Sequence, residues 1–341
     1  MQRWNALSDV PDGFGPSVVT IGNFDGVHRG HVSVLTRMCA DARAVGAQAV
    51  AVTFTPHPLQ VHRPDTAPPV ITGDEDRLEL LERTGLDAVL MLAYTLEFAR
   101  QTPDEFVRRY LVEGLRARTV VVGRDVRFGW KNSGDLSTMI ALGQTYGFDV
   151  EVIEDVTPAE SADPGSAEDL VADPLRRRWS STWVRELLDE GDVVQAARVL
   201  GRPHRIRGTV VHGDARGREL GFPTANLGPD STGLVPADGV YAGWLRRVSA
   251  EPGESDGVVL PAAVSIGTNP TFDGVERRVE AYVLDRTDLD LYDEVVVLEL
   301  VERLRPTLRF ESIDELVVQM RDDVDRTRVI LDTDARPTPA A

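Results

Sequence analysis

The sequence predicts an α/β chain of two domains. Residues 1–186 read as a doubly wound domain with a parallel sheet, and residues 187–341 as a β-rich domain that closes with a helix. Three observations carry this reading. Short apolar runs alternate with helical stretches up to about residue 155. From about residue 205, β-rich runs follow one another without helical stretches between them. Between the two styles, residues 157–178 are rich in small, acidic and Pro/Gly residues and read as an exposed, mobile loop. A length of 341 residues suits two or three domains.

The elements follow in order. The apolar runs 18–21, 49–52, 88–92, 120–122 and 150–153 are the strands of the first sheet. Continuous apolar character is what a parallel strand buried on both faces requires. Val32, Leu35, Met38 and Ala42 recur at helical spacing after the first run, and Leu78 and Leu81 lie in a charged, helix-prone stretch after the second. Strands alternating with helices call for right-handed crossovers. A helix carrying Val184, Leu187, Leu188, Val194, Ala197 and Leu200 follows the acidic loop and stops at Gly201-Arg202-Pro203. The runs 206–211, 240–248, 262–266, 279–284 and 295–301, separated by Gly/Pro/Asp turns, form an antiparallel sheet or small barrel. A last helix aligns Ile313, Leu316, Val317, Met320, Val324 and Leu331 in one stripe, and residues 332–341 read as a frayed tail.

Composition excludes several classes. No apolar run approaches the ~18 residues of a membrane helix, and the N-terminus reads as lacking a secretory h-region. The single cysteine, Cys39, rules out an internal disulfide and a cysteine-rich zinc site, and fits a reducing cytoplasm. Net charge is −18, and both parts are acidic: 19 Lys+Arg against 27 Asp+Glu up to residue 186, then 18 against 28. Neither part is a basic module, so nucleic acid is not an expected partner. Lys131 is the only lysine, and no G-x-x-x-x-G-K-[ST] loop exists to hold phosphates.

The densest motif is Thr20-Ile21-Gly22-Asn23-Phe24-Asp25-Gly26-Val27-His28-Arg29-Gly30-His31, which leaves a strand and enters a helix. Its glycines let the backbone approach a ligand, and the helix start suits a phosphate. Two histidines three residues apart can stabilise charge on a transferring phosphoryl group. The residues alone also fit a Gly-rich turn with surface histidines, or a metal pair. Three segments can converge on the same sheet edge. They are Thr53-Phe54-Thr55-Pro56-His57-Pro58, Val122-Gly123-Arg124-Asp125-Val126-Arg127-Phe128-Gly129 with Asn132-Ser133-Gly134, and Ser180-Ser181-Thr182-Trp183-Val184-Arg185. Taken alone, the last is also an ordinary helix cap.

In the second part, Gly213 and Gly217 sit in a turn able to wrap phosphates, ahead of Pro223-Thr224-Ala225-Asn226. Thr224 and Asn226 face one side of a strand and can reach one Mg²⁺ or phosphate. A glycine-rich hairpin with an edge strand fits equally. Glu280 alternates with Val279 and Ala281, and a carboxylate there can take a proton from a hydroxyl nucleophile. The residues alone do not single it out from solvated glutamates.

Together, G-N-F-D-G-V-H-x-G-H, T-F-x-P-H-P, V-G-x-D-x-x-F-G and S-S-T-x-x-R resemble the adenylyltransferase domain of the bacterial bifunctional riboflavin kinase/FAD synthetase family. G-R-x-L-G-F-P-T-A-N, G-V-Y-A, S-I-G-T-N-P-T-F, V-E-A and 289–292 are similar to that family's riboflavin kinase module, in its order. The resemblance covers about residues 15–330. It implies a Rossmann-like nucleotidyltransferase domain and a six-stranded kinase barrel. In the first domain it implies ATP at Gly22, Asn23, Phe24, Asp25, Gly26, Ser180, Ser181 and Thr182. His28, His31 and Arg185 act on the phosphates, and flavin sits near Phe54, Pro56, His57, Pro58, Asp125 and Phe128. In the second it implies Mg-ATP at Gly213, Gly217, Pro223, Thr224 and Asn226. Glu280 is then the general base, and Tyr241 and Asn269 lie by the flavin. Thr55, Val126, Tyr282 and Asp293 depart from the family's usual residues. The implied reactions are phosphorylation of riboflavin to FMN and adenylylation of FMN to FAD. Two other readings stay open: a kinase that makes FMN alone, and a non-catalytic flavin or nucleotide carrier. The partners are small molecules, and oligomeric state is not legible.

Overall fold

The computed structural model describes residues 1–153, 177–213, 220–248, 257–271, 274–286 and 288–333, with the backbone alone at 269–271, 274–276 and 333. The acidic loop expected at 157–178 lies outside them except for its last two residues. By contacts the chain divides into two compact units, Met1–Val70 with Asp74–Ser180, and Ile71–Gly73 with Ser181–Ala341.

The first unit is built on six strands: β1 (Gln2–Trp4), β2 (Ser17–Ile21), β3 (Gln48–Thr55), β4 (Ala88–Ala93), β5 (Ala117–Gly123) and β6 (Asp149–Ile153). They lie in the order β1-β4-β3-β2-β5-β6, each pairing parallel. The helices are α1 (Arg29–Ala44), α2 (Pro58–His62), α3 (Asp74–Glu82), α4 (Pro103–Phe106), which runs on as a π-helical stretch Val107–Gly114, and α5 (Leu136–Tyr146). Alternate strand residues serve two cores. Val18, Ala49, Ala51, Val89 and Val121 meet Leu35, Met38, Cys39 and Ala42 of α1 and Leu78, Leu80 and Leu81 of α3. Val19, Val50, Val52, Leu90 and Val120 meet Phe106, Tyr110, Leu111 and Met139 on the other face. Burial of both faces explains the unbroken apolar runs. Chain order runs outward from β2 to β4 on one side and through β5 to β6 on the other. The switch point therefore opens between the carboxyl ends of β2 and β5.

Two details differ from the sequence reading. β1 was not expected, because three residues of mixed polarity carry no period. Val32 is 38% exposed, and Cys39 takes its place in the buried stripe of α1.

The second unit holds α6 (Ser181–Glu190), α7 (Val193–Leu200), strands β7 (His204–Val211), β8 (Thr224–Leu227), β9 (Gly239–Arg247), β10 (Val259–Thr271), β11 (Gly274–Val283) and β12 (Val295–Arg305), and α8 (Ile313–Thr333). The strands close into an antiparallel barrel in the order β10-β11-β8-β7-β12-β9. The one helix expected over 184–200 is two. Gly191 turns the chain at φ +80°, and Asp192 caps α7 through the Gln195 N–H. The break shifts the phase, so Val193, Ala196, Val199 and Leu200 are buried and Val194 is exposed. On α8, Ile313 is 66% exposed, and the stripe is completed instead by buried Asp323 and Thr327. Asp323 lies there because Arg305 donates to both its oxygens, at 2.7–3.1 Å.

Inside this unit Glu299 is buried between two arginines, Arg205 Nη2 at 2.6 Å and Arg246 Nη2 at 3.0 Å. Removing the shared carboxylate takes an ion pair from both arginines at once. Glu299→Ala is expected to cost about 3–5 kcal/mol in urea unfolding of this unit. A loss under about 1 kcal/mol would show the triad to be already hydrated.

Candidate active sites

The loop from β2 to α1 is folded in on itself. Phe24, Asp25, Gly26, Val27 and His28 are all buried. Phe24 and Val27 adopt positive φ, 49° and 38°, a strained conformation that marks a constrained site. Gly22 donates to Val52 O at 3.0 Å, and any Cβ on it would meet the Phe24 ring at 2.9 Å. His28 caps α1, its Nδ1 accepting from His31 N–H at 3.4 Å, which leaves Nε2 as the N–H donor of the neutral ring. The His28 and His31 rings stack with centroids 3.7 Å apart, and Phe24 meets His31 edge-on at 5.3 Å. Both imidazoles thus stand at the start of a helix, beside the switch point of the sheet. Among the described residues no cluster of three His, Cys, Asp or Glu gathers as a metal site.

The segment after β3 lies on the neighbouring strand end. His57 is buried and caps α2, its Nδ1 accepting from Leu59 N–H at 3.2 Å, with Pro58 in the first turn. Pro56 is exposed. Half-buried Phe54 belongs to an aromatic cluster with Tyr94 at 5.6 Å and Phe98 at 5.8 Å. Thr55 donates through Oγ1 to Asp74 Oδ2 at 2.5 Å. Asp74 in turn binds Arg77 at 2.7 Å. After β5, Asp125 is exposed and lies 3.5 Å from Arg178 Nη2. Phe128 is buried against Phe106, and Val126 packs on the same core. Ser180 ends the first unit; Ser181, Thr182 and Arg185 lie in the first turns of α6, counted with the second.

In the second unit one register row crosses five strands: Arg305, Val240, Ser265, Glu280 and Asn226. Cross-strand partners share a face, so this row points to one side of the barrel wall. The neighbouring partners Tyr282 and Thr224 belong to the same face. Thr224 Oγ1 donates to Glu280 Oε2 at 3.5 Å, and Asn226 Nδ2 reaches Thr224 O at 3.3 Å. Between this face and α8 lies a cavity of about 270 Å³ whose apolar walls include Phe222, Val240, Ala263, Leu316 and Met320. Thr224, Glu280, Tyr282 and the Arg305–Asp323 pair supply its polar atoms. Burial pushes the Tyr282 phenol up, so it stays a neutral donor. Pro223 and Thr224 also line a smaller hollow with Leu289 and Tyr292.

Tyr241 alternates with Val240, is fully buried in the barrel, and donates its hydroxyl to Ala237 O. Asn269 is described by its backbone alone, in β10 opposite Glu276, and Gly217 lies outside the described residues. Asp293 stands at φ +63°, a backbone position that favours glycine and that Asp tolerates. Gly213 stands against Asn226: a Cβ there would lie 2.5 Å from its amide. On the ATP role that the resemblance implies for Asn226, Gly213→Val is expected to displace that side chain and raise KM for ATP in FMN formation about tenfold or more, with FAD formation from FMN unchanged. Steady-state kinetics of both reactions check this, and an unaltered KM would detach Asn226 from the nucleotide.

Arg77 is the residue that sequence reasoning missed. In a stretch as charged as 74–79 an arginine reads as solvated, and no spacing marks it; here it is 3% exposed.

The FAD synthetase family matches residues 12–163, and the riboflavin kinase family residues 200–331. The chain is 36% identical over 306 residues to the bifunctional riboflavin kinase/FMN adenylyltransferase of Escherichia coli (strain K12), covering 90% of each. It is 36% identical over 337 residues to the protein of that name from Pseudomonas fluorescens, covering 97% of this chain and 98% of that one. A crystal structure titled as a macrolide-efflux protein from Streptococcus pneumoniae superposes with a TM-score of 0.76 at 29% identity, covering 96% and 98% of the two chains. Among the described residues no helix is long and apolar enough to cross a membrane. With both modules matched in this order and relatives aligned over nearly their full length, the chain belongs to the bifunctional riboflavin kinase/FMN adenylyltransferase family, an enzyme that forms FMN and then FAD.

Proposed function

We propose that residues 1–186 carry adenylyl transfer around His28 and His31, and that residues 187–341 carry phosphoryl transfer around Thr224, Asn226 and Glu280. The observation that supports this most is the Thr224–Asn226–Glu280 cluster at the rim of a 270 Å³ apolar cavity. The cavity suits a flat tricyclic ring, and at about 4.8 Å per strand its row from Glu280 to Arg305 spans roughly 14 Å.

In the second unit the riboflavin 5′-hydroxyl lies at Glu280, which accepts its proton as the oxygen bonds to the γ-phosphorus of ATP. The bond from that phosphorus to the β,γ-bridging oxygen breaks, and ADP leaves. The Thr224 hydroxyl and the Asn226 amide oxygen are hard oxygen donors two residues apart on β8, so these residues fit Mg²⁺. When bound, the ion neutralises charge on the triphosphate. In the first unit a phosphate oxygen of FMN bonds to the α-phosphorus of ATP, and pyrophosphate leaves. His28 Nε2–H and the His31 ring stabilise the charge that develops. Gly22, Asn23, Phe24, Asp25 and Gly26 hold ATP, and Phe54, Pro56, His57, Pro58, Asp125 and Phe128 border the flavin. Ser180, Ser181, Thr182 and Arg185 keep the phosphate-binding role that the S-S-T-x-x-R pattern gives them. The enzyme acts in the cytoplasm on small molecules, and its net charge of −18 opposes nucleic-acid binding.

Purified protein with riboflavin, ATP and Mg²⁺, followed by chromatography over time, tests this. FMN is expected to rise first and FAD to follow. FMN without FAD would confine the activity to the kinase unit, and no conversion would leave a binding module.

A further inference from the structure

The Arg77 guanidinium is aimed at two backbone carbonyls from different loops. Nη1 donates to Asn23 O at 3.0 Å, inside the glycine loop after β2, and Nη2 donates to Phe54 O at 3.0 Å, at the carboxyl end of β3. The same Nη2 binds Asp74 Oδ1 at 2.7 Å, and the other Asp74 oxygen takes the Thr55 hydroxyl. Thr53 Oγ1 adds a second donor to Asn23 O at 3.2 Å. Asp25 contributes a further favourable charge to Arg77. An interior arginine costs several kcal/mol to desolvate, and packing alone does not repay it. The Asn23 carbonyl lies past the end of β2 and the Phe54 carbonyl at the end of β3, and a planar fork can serve both at once.

We propose that Arg77 is a positioning residue for adenylyl transfer: it clamps the ATP loop to the flavin loop and so sets the distance between the attacking phosphate and the α-phosphorus. Asp74 orients the fork, and Thr55 fastens Asp74 to the flavin strand. This rests on assigning adenylyl transfer to the β2 and β3 loops. A lysine can reach one carbonyl but not both in a fork, so charge alone does not replace it. A misplacement of about 1 Å in such a reaction costs about 10²-fold in rate.

The test uses the full chain, whose riboflavin kinase activity reports on folding in the same sample. Wild-type FAD formation from FMN and ATP tests the underlying assignment. The clamp is tested by the ratio of variant to wild type. Arg77→Lys is expected to lower kcat for FAD formation about 10–10²-fold, with KM for ATP and FMN each within about threefold and FMN formation unchanged. Thr55→Val, which removes one hydroxyl and buries no charge, is expected to lower the same kcat about three- to tenfold. Full kcat in both variants overturns the clamp. So does a loss confined to KM, or a loss that tracks FMN formation, because these are the marks of a contact residue and of a purely structural one. If Arg77→Lys does not fold, Thr55→Val decides alone, by the same criteria.

Discussion

His31→Ala is expected to lower FAD formation from FMN about 10²–10³-fold, equivalent to about 3–4 kcal/mol of transition-state stabilisation, and to leave FMN formation at the wild-type rate. The imidazole is held by its stack on His28 at 3.7 Å and by the edge of Phe24 at 5.3 Å. It is only half-buried, so its loss opens no large cavity in the fold. Its backbone N–H still donates to His28 Nδ1, which keeps the cap of α1 in place. What disappears is a ring able to donate to a phosphate oxygen whose charge grows as pyrophosphate departs. The deficit belongs in kcat more than in KM. Initial rates of FAD formation at saturating FMN and ATP check this. An equal loss in both reactions would remove the two-site assignment.

Glu280→Gln gives the opposite pattern. FMN formation is expected to fall about 10²–10⁴-fold, with FAD formation from supplied FMN unchanged. The amide keeps the size of the side chain and its place on β11 opposite Asn226, but it cannot accept the 5′-hydroxyl proton. Riboflavin binding to the apolar cavity survives, because Phe222, Val240 and Met320 are untouched. A titration of riboflavin fluorescence separates binding from turnover. Loss of binding along with turnover would make Glu280 a flavin contact and leave the base unassigned.

The two sites were not equally legible. The first lies in one short motif, because the loop that leaves a parallel strand for a helix must carry its glycines, its cap and its phosphate donors within ten residues. The two histidines at a helix start follow from that spacing; that His28 itself caps α1 does not. Glu280 and Thr224 are 56 residues apart, and only the β8–β11 pairing brings them to 3.5 Å. The resemblance to known modules selected Glu280; alternation along β11 only placed it on a face. Which side of β9 meets α8 likewise depends on how the barrel closes, and this places Val240 rather than Tyr241 on the cavity wall. Arg77 carries no signal, because its value lies in two carbonyls contributed by strands far from it in sequence.

By itself the sequence determined five strands of the first sheet and their parallel character, the helix after β2, the β-rich character of the second unit, and the glycine-rich loop that leaves β2 for that helix. All of these are set by local periodicity, glycine placement and capping, whose physics acts within a turn or two of chain. Tertiary structure alone decided the edge strand β1, the break at Gly191, the burial of Asp323 and Glu299, and the fork of Arg77 between Asn23 and Phe54. All but the break at Gly191, which is a local glycine turn and cap, depend on a partner distant in sequence. A buried charge is tolerated only where such a partner waits, and a three-residue strand persists only where β4 offers its edge.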